Sequence, residues 1–304
     1  MNISGKISNW FARCSVLTIV FLVITYLLTL TGCNKENHDY ENHRSSYFRN
    51  ISTEEYPDTM FTCLTYNIQL GFRGHHDPWN PDHAGGTGEH LEDLVQVIKK
   101  INPTIIALQE VPRNRHNIEI GDYIEAIAEE LNMNYAFGAH GYNDPTGIYP
   151  VHGEWGNAIL SKHEILGIEN IEISYLNKWS KRSLLSAELK VDSNKTIHVV
   201  SIHYGLRLDE YNEGLENTLA YIETLVGPVI LMGDFNPQFG IDSIRNRLRE
   251  AGMQDADSGF LHGGDRIFYS EVHFLTSEIG SYYDTVNWIS DHPANYCKLK
   301  ANGR

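Results

Sequence analysis

The chain has 304 residues, 41% hydrophobic and 21% charged, with a formal net charge of −15. Such a composition excludes a disordered polymer and suits one large globular domain or two small ones. The acid excess argues against a protein built to grip long nucleic acid, because basic side chains supply most of that affinity.

In chain order, Lys6 and Arg13 come first, then an almost unbroken apolar run over residues 16–30, then Leu30-Thr31-Gly32-Cys33. A basic start, a short apolar stretch and small residues before a cut site describe a secretory signal. The run is too short to make a comfortable permanent span. Its end also resembles the bacterial lipobox, whose cysteine is lipidated and becomes the new N-terminus. The expectation is a signal over residues 1–32, a lipid on Cys33, and a place in the bacterial cell envelope with the membrane as partner. Cleavage removes two basic residues and no acid, so the mature chain is more acidic still. Residues 33–57 are polar without a sustained apolar period and read as a tether. Residues 58–304 read as the folded domain.

From there the pattern alternates between strand and helix. Residues 61–68 are strand-like; Leu91, Leu94, Val95, Ile98 and Ile101 fall on one helical face; residues 104–108 form a buried-strand run. Ile124, Ile127, Ala128 and Leu131 mark a second helix. Strands follow at 157–161, 165–173, 184–191 and 197–203. A third helix carries Leu215, Leu219, Ile222 and Leu225 before a strand at 229–232. A short fourth helix holds Ile241, Ile244 and Leu248, and strands at 266–270 and 296–299 close the chain. Many strands interleaved with helices suggest an α/β core of sheet on sheet with helices outside. The loop over residues 71–89, with His75, His76, Asp77 and His83, has no tight ligand spacing and reads as facing a substrate. Cys63 and Cys297 lie on apolar strands and read as buried free thiols, with a disulfide as the alternative in an oxidising envelope.

The chemistry-bearing residues recur at strand ends, where side chains converge on a ligand while the backbone stays rigid. Gly233-Asp234-Phe235-Asn236 follows an apolar strand, and Ser290-Asp291-His292 precedes another. Asp234 and Asn236 are two residues apart, so on an extended segment they point the same way. A carboxylate and a neutral amide aimed together suit activation of water beside developing negative charge. Asn67, Gln109-Glu110, His203 and Asp265 stand at further strand ends.

Thr65-Tyr66-Asn67-Ile68, Leu108-Gln109-Glu110-Val111, Gly156-Asn157-Ala158-Ile159-Leu160-Ser161, His203, Gly233-Asp234-Phe235-Asn236, Asp265-Arg266-Ile267-Phe268 and Ser290-Asp291-His292 stand in an order that resembles the endonuclease/exonuclease/phosphatase superfamily. The resemblance covers residues 58–302. It implies a four-layer α/β sandwich, two packed β-sheets flanked by helices, and Mg²⁺-dependent cleavage of a phosphoester, with Mn²⁺ as a substitute. It further implies Glu110 as the main metal ligand with Asn67 and Asp291 beside it, oxygen donors of the kind Mg²⁺ prefers. Asp234 matches the residue that orients or deprotonates the attacking water, and Asn236 would hydrogen-bond phosphoryl oxygens. His203 and His292 would flank the phosphate, and Asp265 would fix the tautomer of His292. Arg182 and Asn157 are expected on the substrate side, and Glu154 beside His203.

Two departures stand out: the common Arg-Ile-Asp pattern reads Gly263-Gly264-Asp265, and no aromatic follows His292. The segments around Tyr66–Phe72 and Glu154–Asn157 look most like secreted bacterial members and the hydrolase-like domain of GPI-lipid remodelling proteins. That likeness favours a lipid or small phosphodiester as substrate and no stable nucleic-acid partner. A secreted nuclease and a non-catalytic surface binding module are the alternative readings.

Overall fold

A computed structural model describes residues 45–52, 60–76, 85–115, 118–142, 153–175, 181–237, 240–257, 264–284 and 288–302. All of these fall within one compact unit, Glu41–Arg304. The segment expected to be an export signal, Cys33, Asp77 and His83 lie outside the described residues.

Two mixed sheets stack face to face. The first has the order β1 (Ser46–Arg49), β4 (Asn134–Tyr142), β5 (Glu154–Ser161), β3 (Ile105–Arg113), β2 (Met60–Asn67), β13 (Ala294–Ala301) and β12 (Phe274–Tyr282). The second has the order β10 (Met253–Asp255), β11 (Asp265–Ser270), β9 (Val229–Asp234), β8 (Lys195–His203), β7 (Lys181–Asp192) and β6 (Glu164–Tyr175). Among the described strands, only β2–β3 and β8–β9 pair in parallel. Each of these parallel connections carries a helix: α1 (Gly88–Ile101) between β2 and β3, and α3 (Leu208–Ile222) between β8 and β9. Parallel neighbours need such a crossover, whereas antiparallel ones close with a turn.

The inner faces of both sheets supply one apolar layer, with Phe61, Ile105 and Ile159 facing Leu185, Val199 and Met232. Outside the first sheet, α1 and α2 (Tyr123–Leu131) cover Leu64, Ile106 and Leu160; outside the second, α3 and α4 (Ile241–Glu250) cover Val200, Leu231 and Phe268. The four layers expected from sequence are therefore present. Helix boundaries follow local chemistry. The Thr87 hydroxyl accepts the His90 N–H at the start of α1, the Asp122 carboxylate accepts the Glu125 N–H at the start of α2, and Asn102 and Asn132 end those helices in left-handed conformations.

Four strands go beyond the sequence reading. Ser46–Arg49, inside the segment read as tether, pairs with β4 as an edge strand. Its polar side chains give no apolar alternation; it is held by its ladder and by Tyr47 Oη donating to Asp122 at 2.6 Å. The strands β4, β10 and β12 were also missed. Gly138 and Gly141 break the pattern of β4, β10 has three residues, and the outer β12 is largely exposed. Cys63 and Cys297 sit directly opposite each other on β2 and β13 as buried free thiols, in keeping with the sequence reading.

Candidate active site

The strand directions bring one end of each sheet to the same place. On the first sheet β2 ends at Asn67, β3 kinks at Glu110, and β13 begins after Ser290-Asp291-His292. On the second sheet β8 and β9 end at His203 and Asp234, and β11 begins at Asp265 directly opposite Asp234.

The kink in β3 has a cause. Its pairing with β5 shifts between Leu108 and Val111, and Glu110 takes a positive φ of 54°. A bulge of this kind re-aims a side chain out of the ladder. Its carboxylate thereby reaches Asn67, whose Nδ2 donates to Glu110 Oε1 and to Asp234 Oδ2, each at 3.3 Å. Asn67 Oδ1 accepts the Gln69 N–H at 3.0 Å and keeps its second lone pair for another partner. Burial pushes the Glu110 carboxyl up from its ordinary value, and the Asn67 hydrogen bond opposes that shift.

Asp234 is the hub. Its Oδ1 accepts the Asn236 N–H at 2.9 Å, while its Oδ2 lies 3.6 Å from His203 Nε2 and 3.9 Å from His292 Nε2. The carboxylate fits because residue 264 is glycine: a Cβ there would stand 2.5 Å from Asp234 Oδ1. The departure at Gly263-Gly264 thus makes room for the central acid. Asn236 itself donates through Nδ2 to the Tyr204 carbonyl at 2.7 Å, which leaves one amide N–H for a ligand.

The two histidines are set differently. Burial drives the His203 imidazole well below its ordinary pKa, and the nearby Arg182 guanidinium adds to the effect. Burial alone would also lower His292, but the Asp265 carboxylate, 2.7 Å from Nδ1, outweighs it and raises this imidazole to about 10. Asp265 therefore holds Nδ1 protonated and turns Nε2 toward Asp234, as expected from sequence. One histidine is kept neutral and the other charged beside the same carboxylate. The Asp291 side chain is half exposed, with Oδ1 4.0 Å from His292 Nε2, and Ser290 Oγ ties the turn to the Asn67 carbonyl at 2.7 Å.

The candidate substrate-side residues divide. Arg182, the second residue of β7, has its guanidinium 5.0 Å from the centre of the Trp155 ring, beside His203. Asn157 does not face a substrate. It is fully buried, and its amide donates to the carbonyls of Ser183 (2.8 Å) and Ser201 (3.1 Å), stitching one sheet to the other. Nor does Glu154 steady His203: it accepts from Arg113 at 2.7 Å and from the Ser45 N–H at 3.1 Å, anchoring the start of β1. A carboxylate is drawn to the nearest fixed cation, and here that is Arg113. In the loop after β2, His75 and His76 pack ring against ring at 4.2 Å.

Three contributors escaped the sequence reading. His140 sits at a shift in the β4–β5 pairing, edge-on to Trp155 at 4.7 Å and 5.8 Å from the His203 ring. The Ser183 N–H donates to His140 Nδ1 at 3.1 Å, so the ring proton is on Nε2. With β4 unrecognised, nothing marked His140. Trp155 was seen only as part of a motif; a large aromatic beside a buried arginine is the signal that could have found it. His90, on α1, lies between the Tyr123 hydroxyl at Nδ1 and the Ile289 carbonyl at Nε2, which fixes the segment leading into Ser290-Asp291.

The donor set fits a divalent cation. The carboxylates of Glu110 and Asp234 meet at the Asn67 amide, with half-exposed Asp291 on the neighbouring turn, a concentration of negative charge that a cation would offset. Ligand atoms of Asp234, Asp265 and His292 also lie within 4.8 Å of one another. Because His292 Nδ1 is engaged by Asp265, we read that second trio as a proton-positioning chain.

A fold of two stacked sheets with buried acids and imidazoles at paired strand ends defines a phosphoesterase class, and the comparisons agree. The chain belongs to the Endonuclease/Exonuclease/phosphatase family, whose model matches residues 64–292. Members of this superfamily are hydrolases of phosphoester bonds. Among relatives, the chain is 28% identical over 186 residues to the protein YbhP of Escherichia coli (strain K12), itself uncharacterized. That match spans 58% of this chain and 66% of YbhP. The fold is similar to an endonuclease/exonuclease/phosphatase from Beutenbergia cavernae DSM 12333, with a TM-score of 0.63 and 17% identity over 80% of this chain and 72% of that one. It is also similar to the human Nocturnin catalytic domain with bound sulfate anion, with a TM-score of 0.60 and 15% identity over 86% and 99%.

Proposed function

We propose that the chain hydrolyses a phosphodiester with the help of Mg²⁺, that the substrate is a lipid or a small phosphodiester, and that the enzyme is lipid-anchored in a bacterial envelope. The observation that carries the reading is the Asp234 carboxylate, held by Asn67 and Asn236 with His203 and His292 on either side and Glu110 adjacent. Glu110, Asn67 and Asp291 would hold the metal. When bound, Mg²⁺ polarises the phosphoryl group and neutralises charge on the leaving oxygen.

The chain's own groups do the rest. Asp234 orients a water and takes its proton through the face that its hydrogen bonds leave open. His292, kept charged by Asp265, donates to phosphoryl oxygen and stabilises the negative charge that builds on it. His203, kept neutral, donates a hydrogen bond without repelling the metal. The remaining Asn236 N–H and the Arg182 guanidinium supply further donors to the phosphate.

The test is turnover of purified chain against bis(p-nitrophenyl) phosphate, phospholipids and DNA. EDTA should abolish turnover and Mg²⁺ or Mn²⁺ should restore it; full activity in chelator with no bound metal overturns the reading. Cleavage of DNA alone, weakening steeply with salt, would assign a nuclease instead.

A further inference from the structure

The end of the sandwich that carries the site also carries a particular kind of surface. Tyr175 ends β6, Tyr283 follows β12, and Trp288 precedes the Ser290-Asp291 turn; all three side chains are exposed, Trp288 by 40% and Tyr175 by 51%. Leu206 and Leu208, just past His203, are more than half exposed. The far end exposes apolar side chains too, among them Met60, Leu166, Val226, Val272 and Leu275, but these are aliphatic. Among the described residues, exposed tyrosine and tryptophan are confined to the site end. Backbone contacts hold the rim in place there: the Gly74 N–H donates to the Trp288 carbonyl at 2.6 Å, and a Cβ on Gly74 would meet the Ser290 and Asp291 backbone at 2.7 Å.

The chain also joins the fold at this end. Ser46 pairs with Gly138, which pairs with Asn157 near the level of Gln109, and Ser45 is tied to Glu154. Ser45, the first described residue, therefore lies at the site end of the fold.

We infer that the catalytic end docks on a phospholipid surface through Tyr175, Tyr283 and Trp288, so that the scissile phosphoester is taken from the head-group layer. This rests on the phosphoesterase reading above. Tyrosine and tryptophan settle at the membrane–water boundary because each has an apolar ring and a polar tip. The acidic chain gains nothing from anionic lipid, which points to a zwitterionic surface. A lipid on Cys33 would keep the chain near the surface, and the aromatic rim would orient the site on it, two contacts that bind more tightly together than either alone.

The test uses the processed full chain on phosphatidylcholine vesicles that contain brominated phosphatidylcholine. Trp288 quenching is taken as the difference between the wild type and Trp288→Phe. Quenching should be clear in the wild type and lost in Tyr175→Ser/Tyr283→Ser, and unchanged in the far-end variant Leu166→Ser/Val226→Ser/Val272→Ser. Hydrolysis of soluble bis(p-nitrophenyl) phosphate should be the same in all. An unquenched Trp288, equal loss in the far-end variant, or rim-dependent self-association in place of vesicle contact overturns the inference. Normal soluble turnover without quenching rejects this docking alone; quenching without any soluble turnover rejects the phosphoesterase reading instead.

Discussion

Asp234 is a tightly constrained side chain that the proposed reaction would use as its proton acceptor. Its neighbours occupy particular lone pairs without neutralising it, and Gly264 leaves the room. Asp234→Asn keeps the shape and removes the proton acceptor. Turnover should fall about 10²–10⁴-fold, with the melting temperature little changed; a parallel loss of stability would mark Asp234 as a structural turn residue. His90 poses the opposite case, a buried imidazole that works only as a neutral group. Burial lowers its pKa, although the Ile289 carbonyl pulls the other way. The unfolded chain therefore binds this proton more tightly. The stability at stake is full above roughly pH 6.5 and is lost as the pH falls through the depressed folded value. His90→Gln should flatten that part of the stability curve, as read by urea midpoints between about pH 7 and pH 5.

Strain appears at the level of elements, and β3 carries a clear instance of it. Glu110 combines a left-handed backbone, a broken ladder and a half-buried carboxylate, three costs that a stability-optimised strand would avoid. Asparagine tolerates the left-handed region and carries no charge. Glu110→Asn should therefore melt at the same or a higher temperature in metal-free buffer while turnover is lost. A lower melting temperature would mean that Glu110 stabilises the bulge. Much of this site was legible from the order of motifs, because Asn67, His203, Asp234 and Asp265 end or begin strands, Glu110 follows the apolar run of β3 and His292 closely precedes β13. The roles of Glu154 and Asn157 were not legible. Each is decided by a partner far away in sequence, Arg113 for one and the Ser183 and Ser201 carbonyls for the other.

For the whole molecule, the question is where the domain works. If Cys33 carries the proposed lipid, each buried methylene contributes about 0.8 kcal/mol, enough for two or three acyl chains to hold the domain without a transmembrane helix. Mass spectrometry of the mature N-terminal peptide should find a thioether-linked diacylglyceryl group on Cys33. An unmodified Cys33, or a mature N-terminus elsewhere, would remove the anchor from the proposal and leave the catalytic reading standing.

The sequence by itself determined the layers and brought most of the candidate site residues into view. Helical and strand periodicities are local, and the acids, amides and imidazoles are punctuated by the strands they terminate. Only the tertiary structure decided that Asp265 and Asp234 face each other across β11 and β9, that Ser46–Arg49 is an edge strand, and that His140, Trp155 and Arg182 form one wall beside His203. The reason is physical. Pairing register, bulges and sheet stacking join residues by distance in space, and a hydrophobic pattern records which face of a strand is buried without recording what lies opposite it.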